Sequence, residues 1–271
     1  MRIFFLGTAA AEGFPGIFCR CTVCSQARLL GGCNQRFRSM LLVNNDLLID
    51  CGPDLQASAL HFNRSLWGVT TCLVTHAHSD HFYLGNFGMR ADAFTGKMPP
   101  PTMQLYGSQD VSAGLAADFA DLCALHLDFH RIRALDTWQS GAYTITAYHA
   151  LHAMDSLEAL FYSMDDEKHA LLYATDTGLF PEDTRQALLG RSFDVIVLEE
   201  TMGTGNYEGH LGFETFPEQV RWLRQVGLLR PGGRILATHF SHSGNPLHEE
   251  LEARFNPLGV EIAYDGLEIV L

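Results

Sequence analysis

The stretch Thr75-His76-Ala77-His78-Ser79-Asp80-His81 concentrates three imidazoles and a carboxylate within six residues, directly behind the apolar run Cys72-Leu73-Val74. A short buried strand that runs out into a polar loop is where an α/β fold keeps its chemistry. His76 and His78 fall on one side of an extended segment and can reach one ion, whereas Asp80 and His81 come after the turn and can reach a second. Without an ion, these residues would bury several polar groups that lack partners, so metal binding is the expected reading.

Other candidates stand at strand ends further along. Segment 142–152 alternates and ends in histidine; of its two imidazoles, His152 at the very end is preferred over His149. Asp176 follows the strand His169 to Ala174 and suits a bridging role, because a carboxylate offers two oxygens. The apolar strand Phe193 to Leu198 runs into Glu199-Glu200-Thr201, and the glycine-bounded loop Gly203 to Gly212 holds one imidazole, His210. The strand Arg234 to Ala237 delivers Thr238-His239-Phe240-Ser241-His242. Asp50 ends a predicted strand, where it either orients a ligating histidine or caps a turn. His126 and His130 have no ligand partners nearby and are read as bystanders. A second cluster, Cys19, Cys21 and Cys24, brings three thiolates within reach of one ion and needs one further ligand to close a tetrahedral zinc site.

The elements that position these residues fit one soluble globular domain over residues 1–271, with a zinc-binding loop at about 13–38. The hydrophobic content of 47% supports a full core. Hairpins are predicted at Asn44-Asn45 and at Asp165 to Glu167, and helices over Pro53 to Phe62, Gln109 to Leu127, from Pro181, and over Glu214 to Val226. Pro231-Gly232-Gly233 reads as a breaker before the strand carrying His239. The aromatic segment 81–101 either walls a substrate pocket or packs in the core. A net charge of −13 disfavours nucleic acid and anionic membranes as partners, but not an anionic substrate, since two divalent ions would reverse the local field. No run approaches a membrane span. The early Gly7-Thr8 break in the first apolar run and an odd count of seven cysteines make a cytoplasmic location the expectation.

The His-x-His-x-Asp-His pattern of residues 76–81 resembles the signature of the metallo-β-lactamase superfamily of binuclear metal hydrolases. Together with the loop Gly7 to Pro15, the cysteine cluster and Thr-His-x-Ser-His at 238–242, it is similar to the PhnP-like phosphodiesterase branch, accessory enzymes of the carbon-phosphorus lyase pathway, from Arg2 to Ile269. The resemblance implies an αββα sandwich, two mixed β-sheets packed face to face with helices outside. It implies one metal held by His76, His78 and His152, a second by Asp80, His81 and His239, and Asp176 shared between them. It makes His242 the fourth ligand of a structural zinc with Cys19, Cys21 and Cys24, and Asp80 and His210 the catalytic residues, His210 as general acid. The expected activity is hydrolysis of a small phosphodiester, cyclic forms included, by a hydroxide bridging two divalent metals, manganese or zinc. Alternatives are another hydrolase of this fold (thioesterase, lactonase or tRNA 3′-end endonuclease) and a metal-binding scaffold without turnover. A homodimer is compatible with the sequence. The chain departs from the branch pattern at 153–158, which is longer, and at 81–101, and both departures would shape specificity.

Overall fold

The computed structural model describes residues 1–153 and 156–271, so Met154 and Asp155 of the long connection lie outside the described residues. The chain forms two seven-stranded mixed sheets. The first is built from β1 (Arg2–Gly7), β2 (Met40–Val43), β3 (Leu47–Ile49), β4 (Thr71–Leu73), β5 (Met103–Gly107) and β6 (Leu127–Arg131). The second takes β7 (Thr137–Ser140), β8 (Tyr143–His149), β9 (Leu160–Asp165), β10 (Ala170–Ala174), β11 (Phe193–Glu199), β12 (Leu229–Thr238) and β13 (Glu261–Ile262). The last strand, β14 (Glu268–Val270), returns to the first sheet, giving the orders β14-β1-β2-β3-β4-β5-β6 and β13-β12-β11-β10-β9-β8-β7. β3 through β6 run parallel, as do β10 through β13, so several strands of each sheet end on the same side.

Alternation along the strands produces three apolar layers. Ile3, Phe5, Leu41, Ile49 and Leu73 of the first sheet meet Ile145, Tyr162, Leu171, Val195 and Leu236 of the second in a central layer. Phe4, Leu42, Cys72 and Leu105 face the other way, under α2 (Leu55–His61), α3 (Leu84–Gly88) and α5 (Gln109–Asp118). Phe161, Leu172, Ile196 and Ile235 form the opposite outer layer with α6 (Glu182–Leu188), α7 (Thr215–Gln225) and α8 (His248–Phe255). Two short helices complete the set, α1 (Thr22–Leu30), which is capped by Cys21 and carries Cys24, and α4 (Asp92–Thr95). This is the expected αββα sandwich. No described helix is long and apolar enough to cross a membrane.

The hairpin at Asn44-Asn45 forms as predicted: both residues adopt positive φ (47° and 65°), the turn geometry that matches the twist of the paired strands. Two expectations are corrected. The helix from Gln109 stops at Asp118, where Phe119 turns extended (φ −123°), and after a left-handed turn at His126 (φ 53°) the chain pairs with β5 as β6. Pro231-Gly232-Gly233 lies within β12 rather than ahead of it. Between the pairs Phe193–Leu229 and Val195–Arg234 the ladder shifts, so residues 230–233 bulge out and the proline removes no ladder hydrogen bond. Of the two roles open to segment 81–101, core packing is observed beyond His81: Phe82 and Phe87 are buried in the outer layer, and Phe87, Met89, Arg90 and Phe94 line an apolar cavity of about 510 Å³ with Leu48, Leu55, Val69 and Met103, on the outer face of the first sheet.

Candidate metal centre

The loop after β4 is stapled across the interior. Tyr162 on β9 donates to the carbonyl of Val74 at 2.6 Å, and the Leu160 N–H donates to Thr75 O at 2.9 Å. Both bonds join the exit of a first-sheet strand to a second-sheet strand. They hold His76 and His78 at the seam, where His152 arrives beyond the end of β8. His78 Nδ1 lies 2.9 Å from His76 Nε2 and 3.2 Å from His152 Nε2, so three ring nitrogens converge on one point. His149 points elsewhere, half-exposed and 3.3 Å from Asp183.

A second convergence adjoins the first. His81 Nε2 lies 3.1 Å from Asp80 Oδ2 and 2.9 Å from Asp176 Oδ2, and His239 Nε2 lies 3.1 Å from the same Asp176 oxygen. The other Asp176 oxygen faces His152 Nε2 at 3.9 Å, so this carboxylate spans both groups. Asp50, Asp176 and His239 all adopt left-handed backbone (φ 65°, 49° and 61°) at or just beyond the ends of β3, β10 and β12. This region is uncommon outside glycine, and it turns the chain sharply so that each side chain points into the seam.

The outer atoms of these side chains are fixed too. Asp50 is fully buried; it holds His81 Nδ1 at 2.7 Å and accepts the Thr75 N–H at 2.8 Å. Its orienting role is the one observed. Thr201 Oγ1 meets His239 Nδ1 at 2.8 Å, and Thr75 Oγ1 meets His76 Nδ1 at 3.0 Å. These contacts leave the inward nitrogens free for a ligand.

The electrostatics ask for cations. Burial keeps His76 well below the usual imidazole range, hence neutral with a free lone pair. Burial opposes charge on His81, Asp80 and Asp176, but their mutual attraction outweighs it: His81 is raised well above its ordinary value and both carboxyls are lowered. The His81 proton thus stands where a cation would serve Asp50, Asp80 and Asp176 together. Among the described residues no lysine or arginine pairs with these carboxylates. His81 Nε2 and His239 Nε2 are buried and make no hydrogen bond, although oxygens lie within 3.1 Å. A set of imidazoles and carboxylates with orphaned inward nitrogens fits divalent metal ions.

Cys19, Cys21, Cys24 and His242 form a separate group. Cys21 Sγ is 4.0 Å from His242 Nδ1, and a Cβ at Gly16 would strike His242 Nε2 at 2.5 Å, so glycine is needed there for the ring to enter. The amide of Cys24 draws the Cys21 thiol down to about 7, whereas burial pushes Cys24 up to about 12.

The Beta-lactamase superfamily domain matches residues 45–240, most of the chain. The chain belongs to the β-lactamase superfamily. Among superfamily structures, a diphosphatase of the PhnP family superposes with a TM-score of 0.77 at 23% identity, covering 99% of this chain and 97% of that one. Zn²⁺-bound PqqB from Methylobacterium extorquens superposes with a TM-score of 0.74 at 19% identity, covering both chains fully. Coenzyme PQQ synthesis protein B of Acinetobacter baumannii (strain ACICU) is 23% identical over an alignment that covers 100% of this chain and 100% of that one.

Within this superfamily site, His210 stands beside the cluster, its ring 4.7 Å from that of His152. Its partner is a residue that the sequence reading did not single out. Glu199, fully buried at the end of β11, accepts from His210 Nδ1 at 2.7 Å and from the amides of Thr177 and Thr201. Burial opposes charging of His210, but Glu199 prevails and carries it up to about 9. Thr201 and Thr75 were missed likewise. The available signal was the apolar strand running into Glu199-Glu200, since a carboxylate at a buried strand end has to have a partner.

Proposed function

We propose that this chain is a metal-dependent hydrolase that cleaves a small phosphodiester. His76, His78 and His152 would hold one divalent cation and Asp80, His81 and His239 a second, with Asp176 between them, zinc and manganese both suiting this donor set. Bound there, the cations supply an acidified water as nucleophile and neutralise charge on the phosphoryl group. Cys19, Cys21, Cys24 and His242 would hold a structural zinc.

The observation that carries the reading is the Glu199–His210 pair beside the cluster. Glu199 occupies Nδ1, so Nε2 is the free nitrogen, and the buried carboxylate favours the doubly protonated ring. Such a group gives a proton to a departing alkoxide. A cluster that only stored metal would not need a charged imidazole, held by a buried carboxylate, at its edge. The test is hydrolysis of bis(p-nitrophenyl) phosphate by the zinc- or manganese-loaded protein, beside His76→Ala and a matching phosphomonoester. Turnover of the diester alone, lost in the variant, supports the reading; a fully metal-loaded protein that turns over no diester sinks it.

The full-length likeness to coenzyme PQQ synthesis protein B favours a second reading, in which the same centre serves the making of that cofactor. Binding of a PQQ precursor by a protein inert toward diesters would support it.

A further inference from the structure

The outer layer of the first sheet is not filled. Its apolar cavity of about 510 Å³ takes lining residues from α2, α3 and α4 and reaches the strand residues Leu48 and Met103. Folded interiors leave few voids larger than a water molecule, whereas sites for small molecules occupy about 300–1,000 Å³. Three lining residues, Trp67, Met89 and Phe94, are 53, 53 and 64% exposed, so the apolar surface continues out to solvent as a rim.

One cation stands in this lining. Arg90 Nε donates to the carbonyl of Leu125 at 3.2 Å, and Nη2 donates to those of Pro101 and His126 at 2.6 and 3.2 Å, which fixes the guanidinium plane and leaves Nη1 as the free donor. Among the described residues Arg90 makes no ion pair, although acidic side chains outnumber basic ones by 31 to 18. Asp92, the nearest acid along the chain, is paired instead with His126 at 2.8 Å. Burial pulls the Arg90 guanidinium below its usual range, so its charge is held at a cost that no neighbouring carboxylate offsets.

We propose that this cavity is a second ligand site, separate from the metal centre, for a small amphiphile with an apolar body and a single anionic head such as a carboxylate. The body fills the space under the helices, and the head accepts a charge-assisted hydrogen bond from Arg90 Nη1. One cation matches one anionic group, and the apolar remainder of the lining disfavours a polyanion. The end of β3 separates the two sites: Cys51 lines the cavity, whereas Asp50 points the other way and holds His81.

The probe is 8-anilinonaphthalene-1-sulfonate, an aromatic monoanion, titrated into the metal-loaded protein by fluorescence and then displaced by octanoate or by octan-1-ol, which has the same chain without the charge. Saturable binding of one probe per chain is expected, with octanoate displacing it at about tenfold lower concentration than octan-1-ol. Arg90→Gln should bring octanoate to the level of the alcohol. Phe94→Ala, on the exposed rim, should weaken the probe and both competitors several-fold. Arg90 also ties three backbone carbonyls, so Phe94→Ala, which removes no side-chain hydrogen bond, carries the test should Arg90→Gln fail to fold. Absence of saturable probe binding, equal displacement by acid and alcohol, an acid preference kept in folded Arg90→Gln, or unaltered binding in Phe94→Ala overturns the proposal. Octanoate binding that is lost on chelation overturns it too, since the carboxylate then sits on the metal centre.

Discussion

His210 and Glu199 make the sharpest prediction at the scale of single residues. A general acid matters most where the leaving group is basic, so His210→Ala should lower kcat about 10²- to 10⁴-fold for an alkyl ester and far less for a p-nitrophenyl ester, whose phenoxide leaves unaided. Metal content, measured by emission spectroscopy, should stay unchanged. Glu199→Gln separates the two partners. With the carboxylate gone the imidazolium loses its main support, so the alkaline limb of the kcat profile, set by deprotonation of this ring, should move to lower pH. The bound cations press in the same direction. The sign follows from linkage: a folded-state value above the unfolded one near 6.5 gives a contribution to stability that is complete below about 6.5 and lost as pH rises through 9. A profile that does not move in Glu199→Gln would remove Glu199 from this role. Asp50→Asn tests orientation at His81 in the same way, with metal affinity expected to fall about 10- to 100-fold.

Among the elements, the loop after β4 depends on the staple from β9. Tyr162→Phe leaves the buried Val74 carbonyl without its donor, which costs about 1–3 kcal/mol in urea unfolding and loosens His76. The cysteine loop offers a parallel case. His239 and His242 are three residues apart, with Ser241 Oγ hydrogen-bonded to the Glu12 carboxylate, so Cys24→Ser should lower Tm by several degrees and weaken the catalytic cations as well. Unaltered catalytic metal content in that variant would show the two sites to be independent. These dependencies mark what sequence could and could not convey. The spacing of residues 76–81 is local, and a strand followed by a turn fixes where such side chains point, so this group was legible, as was His152 at its strand end. Glu199 was not, because its partner lies eleven residues away across a loop of no regular pattern. β6 and β7 were missed for a related reason. They lie at sheet edges with largely half-exposed side chains, and the apolar alternation that marks a strand is weak there.

For the molecule as a whole, the two ligand groups straddle the seam between the sheets. His76, His78, Asp80 and His81 follow a strand of the first sheet, whereas His152, Asp176 and His239 follow strands of the second. Each proposed cation would therefore tie one sheet to the other, and without cations the charge of these buried carboxylates is offset, among the described residues, by the His81 imidazolium. Metal binding should accordingly act on global stability. At a free concentration about a thousandfold above Kd it contributes about 4 kcal/mol. For a chain of this size that corresponds to a Tm rise of about 10 °C. Chelation should reverse the rise. Acidification should do so too, because the histidines must be deprotonated to bind, and the difference between loaded and chelated protein should shrink as pH falls below the imidazole range. His152→Ala takes away the second-sheet ligand of one group while leaving His76 and His78 in place. Calorimetric scans of this variant with and without metal should therefore show a smaller rise than the wild-type protein. An equal rise would mean that the cations stabilise the loop after β4 alone and do not join the two sheets.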